Sequence, residues 1–133
     1  MDEPRWILTE VVLAIHRRQL AEHGGAEGVA DRGLLESALS RARQLFHYGD
    51  PQPDLASLAA AYAFGICKNH AFRDGNKRTA LVVCRTFLLL NGQDIRATRQ
   101  ERYETFIQLA DGSSGEEDLA AWIRERLTEQ DRN

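Results

Sequence analysis

The sequence predicts an all-α protein: one compact helical bundle spanning residues 1–133 as a single domain, with a central buried helix and one short flap or hairpin. Three observations predict it. Apolar residues recur at helical spacing along most of the chain. Capping residues and glycines stand where the apolar stretches begin and end. At 133 residues and 43% hydrophobic content, the chain is long enough to build one core and remove roughly two-thirds of its unfolded surface from water.

Taken in order, Thr9 is placed to cap a helix whose apolar positions include Val12, Ile15 and Leu20, and Gly24-Gly25 ends it. Asp31 is placed to cap a second helix with Leu34, Leu35, Ala38 and Leu39 on one face. Residues 44–53 carry Gly49, Pro51 and Pro53, which break the pattern as a short hairpin or an extended loop. Asp54 caps an alanine-rich helix running to about Asn69. A polar loop follows, and then the apolar run Ala80 to Leu90, which reads as a buried helix ending at Asn91 with Gly92 as its stop. Glu101 to Asp111 and Glu116 to Leu127 form two more amphipathic helices around the turn at 111–115.

The bulk properties exclude several classes. A net charge of −3 gives no general attraction for a polyanion, so nucleic acid is not expected as a direct partner. No stretch reaches the ~20 apolar residues that span a bilayer, so no membrane association is expected. The acidic start MDEPRWILTE has no signal-peptide pattern. Cys67 and Cys84 lie inside apolar helical segments and read as reduced core residues of a cytoplasmic protein. No Cys/His spacing resembles a zinc site.

The chemistry concentrates in His70-Ala-Phe-Arg-Asp-Gly-Asn-Lys-Arg-Thr79, at the start of the apolar helix. A helix N-terminus offers unpaired N–H groups and a positive dipole end, which favour an anion. Gly75 permits left-handed angles or a close ligand approach. Two adjacent cations, Lys77 and Arg78, oppose that dipole unless an anion joins them. A phosphate fits, with Asn76 donating to it, Asp74 as a hard-oxygen ligand for Mg²⁺, and His70 as the acceptor of a hydroxyl proton. Plainer readings stand beside these. His70 also suits a helix C-terminus, Asp74 and Asn76 suit helix caps, and Phe72 suits a core anchor that holds the loop. Arg73, Arg17-Arg18, Arg41 with Arg43, and Arg96 with Arg99 and Arg102 read as solvated. No partner is legible for His16, His23 or His47.

HAFRDGNKRTAL resembles the HxFx(D/E)GNxRxxR motif of the Fic/Doc (Fido) family. The likeness is nearest to the death-on-curing (Doc) branch, in which a lysine follows the asparagine. VADRGLLESALSRA at 29–42, the stretch from Gln44 to Asp54, and FLLLNG at 87–92 extend the likeness over nearly the whole chain. The resemblance implies the Fido helical fold and a toxin of a toxin–antitoxin module. It implies a protein kinase that uses ATP and Mg²⁺ to phosphorylate a hydroxyl on a translation factor, a threonine of elongation factor Tu. It implies His70, Asp74, Lys77 and Arg78 as catalytic residues, with Gly75, Asn76, Lys77 and Arg78 around the phosphates. It also implies a flap at Phe46, His47 and Tyr48, where the target strand docks by main-chain pairing, and a Phd-like antitoxin that lays a helix in a groove.

Departures from the wider Fic pattern carry information. Lys77 replaces the second glycine, and Leu81 stands where the second arginine would be. Both argue against AMP transfer, the alternative activity; a catalytically silent binding module is the other alternative. Gly75 stands where some Doc members have alanine. Ser113 and Glu117 fit most of an inhibitory (S/T)xxxE(G/N) pattern, which Asp118 breaks; the expectation is helix capping.

Overall fold

A computed structural model describes residues 1–130. The last three positions of the expected 1–133 domain lie outside the described residues. Six α-helices and one small sheet occur among those described: α1 Thr9–His23, α2 Arg32–Tyr48, α3 Leu55–Asn69, α4 Asn76–Leu90, β1 Gln93–Ile95, α5 Arg99–Asp111, α6 Glu116–Arg126 and β2 Leu127–Glu129. The fold is helical apart from this sheet, as the sequence predicts.

Local capping explains most of the boundaries. The Asp31 and Asp54 carboxylates accept from the Leu34 and Ser57 amides at the starts of α2 and α3. Thr98 and Glu101 close a reciprocal capping box on α5. Asp118 accepts from the Gly115 amide ahead of α6. Thr9 differs from expectation: it is already helical, and Leu8 occupies the cap position without a side-chain bond. Ser113 also differs, because its hydroxyl bonds Asp111 and the Gln108 carbonyl in the preceding turn rather than capping α6.

α3 sits innermost, packed against α2, α4, α5 and α6. Its alanines permit this. Ala56, Ala59, Ala60, Ala61 and Ala63 are fully buried, so neighbours approach on several sides. At Gly65 an added Cβ would lie only 3.1 Å from Ala38 Cα and O on α2. α4 is buried on one face, through Thr79, Ala80, Val83, Cys84, Phe87 and Leu88. The apolar run at 80–90, expected as a buried helix, therefore leaves Leu81, Val82 and Leu89 half-buried beside a cleft.

The segment expected to break at residue 44 stays helical to Tyr48. The reason is periodicity: Leu35, Ala38, Ala42 and Phe46 continue one buried stripe, and Gly49 with the prolines ends the helix only after it. Phe46 is a core residue 7% exposed, in edge contact with Trp6. This corrects the reading of Phe46, His47 and Tyr48 as an extended flap. They form the last turn of α2, and only His47 and Tyr48 are exposed.

The sheet lies elsewhere. β1 and β2 pair antiparallel, Ile95 opposite Leu127, joining the end of α6 to the segment after α4. A two-point Arg85–Asp94 pair, at 2.9 and 3.1 Å, ties the sheet to α4. Similar arginine forks join α2 to α6 through Arg41–Glu116, and α6 to the start of α3 through Arg124–Asp54. At the far end of α4, the Asn91 side chain accepts from the Arg5 amide (2.8 Å) and donates to the Arg5 carbonyl (3.1 Å).

Candidate functional site

The polar loop connects the C-terminus of α3 to the N-terminus of α4. His70 ends α3 in the left-handed conformation, φ 50° and ψ 46°. It is the one non-glycine residue with positive φ among the described residues. Such a backbone costs of order 1 kcal/mol and marks a position held by its surroundings. His70 is exposed, and no protein group among the described residues hydrogen-bonds its ring. It therefore combines the helix-end role with a solvent-accessible imidazole.

The next residues are pinned from several directions. Ala71 accepts from the Ala30 and Asp31 amides, and the Arg73 amide donates to the Gly28 carbonyl, making a short antiparallel bridge with the segment before α2. Phe72 is 2% exposed, as an anchor should be. Asn76 grips its backbone: Oδ1 accepts from the Phe72 amide at 3.2 Å, and Nδ2 donates to the Phe72 carbonyl at 3.0 Å. The Asn76 side chain thus holds the loop, giving one of its two Nδ2 hydrogens to Phe72. Its backbone N–H remains.

Asp74 is exposed, but its carboxylate is held. Oδ1 accepts from the Gly75 amide at 2.9 Å and Oδ2 from the Ala26 amide at 3.3 Å. Gly25 provides the room; a Cβ there would fall 2.8 Å from Asp74 Oδ2. Gly75 is left-handed at φ 78° and opens α4 as a cap residue without a side-chain bond. Its carbonyl accepts from the Thr79 amide at 3.0 Å, the first bond of α4. The Asn76, Lys77 and Arg78 amides precede it with no partner among the described residues. Asp31, Asp54 and Thr98 cap α2, α3 and α5, whereas α1, α4 and α6 start without a side-chain cap; what sets α4 apart is the exposed pair Lys77 and Arg78 in its first turn, where α1 and α6 carry acidic residues. The arrangement suits an anion.

A residue that sequence reasoning missed completes the loop. His16 of α1 is 3% exposed, stacks on Phe72 with ring centroids 3.8 Å apart, and places Nε2 2.8 Å from the Asp74 carbonyl. The signal was present: Val12, His16 and Leu20 stand four residues apart on the inward stripe of α1, which puts an imidazole where an apolar residue belongs.

An open cleft of about 750 Å³ adjoins the site. α4 contributes Arg78, Leu81 and Leu89, α5 contributes Arg99, Arg102 and Tyr103, and Gln19, Glu22 and His23 of α1 complete the lining. Of the motif residues, only Arg78 and Leu81 reach it. The two cysteines stay apart from this chemistry: burial pushes the Cys67 thiol up to about 11 and the Cys84 thiol higher still, as expected of inert core thiols. Among the described residues no three His, Cys, Asp or Glu side chains come together as a metal site, and no helix is long and apolar enough to cross a membrane.

Helical architecture and a pinned HxFxDGNxR loop at the start of a buried helix together define the class. Residues 6–88 match the Fic/DOC family, and the chain belongs to it. Its relatives include the protein kinase doc of Escherichia phage P1, 33% identical over 91 residues, which are 68% of this chain and 71% of that protein. Another is the toxin Doc of Mycolicibacterium smegmatis (strain ATCC 700084 / mc(2)155), 42% identical over 74 residues, or 56% of this chain and 57% of the relative.

Proposed function

We propose that this chain is a Doc-like toxin, a single-domain cytoplasmic protein kinase that transfers the γ-phosphoryl group of ATP to a hydroxyl of a translation factor, with a threonine of elongation factor Tu as the target. The observation that carries this reading is the open N-terminus of α4: three unpaired amides and two exposed cations follow a left-handed glycine. The exposed, left-handed His70 lies just upstream. The names of the two relatives, a protein kinase and a toxin, support the same class.

In this reading the Gly75–Arg78 backbone receives phosphate oxygens, and Lys77 and Arg78 neutralise their charge. His70 accepts the proton of the target hydroxyl as its oxygen attacks the γ-phosphorus, and the bond to the β-phosphate oxygen breaks to release ADP. Mg²⁺ fits as an ion carried by the nucleotide. Asp74 is a lone exposed carboxylate with lone pairs to spare beyond its two backbone bonds, and Mg²⁺ is typically held by one or two carboxylates plus phosphates. Bound there, it would neutralise phosphate charge. His47 and Tyr48, exposed on the last turn of α2, offer a target their side chains rather than main-chain pairing, with Phe46 anchoring them. The cleft beside α4 suits a Phd-like antitoxin helix: Leu81 and Leu89 offer apolar contact, and Arg78, Arg99 and Arg102 offer charge to acidic side chains.

Leu81 and Lys77 favour γ- over α-phosphate transfer. Leucine has no donor to clamp a buried γ-phosphate, and lysine fills the space that a second glycine leaves for it. Incubation with a translation extract and ATP labelled at the α or the γ position tests the reading. Label should pass to protein from the γ position only, and not with His70→Ala. Protein-bound α label would establish the nucleotidyl transfer alternative instead.

A further inference from the structure

We propose that His16 is a positioning residue of the anion site: by holding the Asp74 carbonyl it sets the orientation of the Asp74–Gly75 peptide from which α4 begins. This rests on the reading of that helix start as the nucleotide site.

His16, at 3% exposed, is a buried polar side chain on an otherwise apolar stripe. An imidazole taken out of water is costly unless it is hydrogen-bonded. The atom facing Nε2 at 2.8 Å is a carbonyl oxygen, which only accepts, so Nε2 carries the hydrogen and donates it. The ring also lies flat on Phe72, with 11° between the planes. One side chain on α1 thus touches both the core anchor of the loop and the peptide two residues further on.

The peptide it holds leads into a left-handed glycine. Glycine tolerates both signs of φ at little cost, so the Asp74–Gly75 unit is free to flip unless something fixes it. In a trans peptide the C=O and N–H point in opposite directions. Fixing the oxygen on His16 therefore fixes the Gly75 N–H on the other side, where the Asp74 carboxylate accepts it. Gly75 keeps φ 78° and ψ 18°, and the three open amides of α4 keep their direction. Without the donor, the loop would sample the flipped peptide and present those amides only part of the time.

Two variants separate the hydrogen bond from the packing. His16→Phe keeps a ring against Phe72 and loses the donor; His16→Leu replaces it should that variant not fold. His16→Gln loses the ring but carries an amide hydrogen to the place of Nε2. The amide resonances of Gly75 and Asn76 are followed by NMR in the protein alone, and Mg·ATP binding by calorimetry. The Phe variant should show shifted or broadened Gly75 and Asn76 amides and an ATP Kd weakened about tenfold, the scale of one hydrogen bond. The Gln variant should recover most of both. Native-like amides and Kd in the Phe variant, or equal damage in both variants, would overturn the proposal. Should the native protein not bind ATP, the nucleotide reading falls, and the amide comparison alone decides whether His16 holds the peptide.

Discussion

Replacing Asn76 by aspartate gives effects of opposite sign under two accounts of the residue. As an ordinary first-turn residue, Asn76→Asp places a negative charge at the positive end of the α4 dipole and should stabilise by about 0.3–1 kcal/mol. As the grip on Phe72, it does the reverse. The carboxylate oxygen that replaces Oδ1 still accepts from the Phe72 amide, but the second oxygen faces the Phe72 carbonyl, where Nδ2 now donates at 3.0 Å. The lost bond is worth about 1 kcal/mol net, and leaving the half-enclosed carbonyl against an oxygen adds about 1–3 kcal/mol. After the dipole gain, the balance is about 1–4 kcal/mol of destabilisation, or roughly 4–16 °C in Tm for a chain of this size. Urea denaturation near neutral pH measures it. Acid should narrow the deficit, because a protonated carboxyl regains a donor for the carbonyl. An Asn76→Asp variant as stable as the native protein, or more so, would show that the grip contributes nothing.

Gly65→Ala should cost about 1–3 kcal/mol in chemical denaturation, since the new methyl meets backbone atoms of Ala38 at 3.1 Å that a packed helix cannot easily move; an unchanged midpoint would contradict that closeness. Arg124 holds the Asp54 carboxyl down to about 2. A carboxylate with a depressed folded-state pKa stabilises above its unfolded value and loses that contribution as pH falls through the folded one. The advantage of the native protein over Asp54→Asn should therefore be full above about pH 4 and fade towards pH 2; because the pair is half exposed, its ion-pair share is at most about 1 kcal/mol. Thermal melts across that range check it, and an advantage undiminished at the acid end would exclude the ion pair as its source. Cys67 and Cys84 should resist iodoacetamide in the folded protein at about pH 8 and react after unfolding, as mass spectrometry would record; prompt labelling of the folded protein would contradict their burial.

What the sequence made legible was whatever depends on near neighbours. Asp31 and Asp54 cap their helices three residues away, so their roles stand out in the linear order. The motif was legible because its groups crowd into ten residues. The end of α2 was not, because Gly49 and the prolines advertise a break while the buried position of Phe46, which carries the helix past residue 44, depends on Trp6 far away in the chain. The two strands are three residues each and are paired by an approach of distant segments, with no pattern of their own. His16 was read as partnerless because its partner is a backbone oxygen fifty-eight positions away, and no side-chain identity announces a carbonyl. The Asn76 grip on Phe72 is only four residues long, yet it too was hidden, because both its partners are main-chain groups.

Both ends of α4 are fastened in one manner. Asn76 at its start and Asn91 just past its end each present a side-chain amide to the N–H and C=O of a single residue, Phe72 in one case and Arg5 in the other. Such a joint reads main chain only and is indifferent to what the gripped residue carries, provided it is not proline. Selection is thereby left free to rewrite displayed side chains such as Arg73 without reshaping the loop that displays them. A scaffold that holds its reactive segment by the backbone can change its chemistry one residue at a time and keep its form throughout.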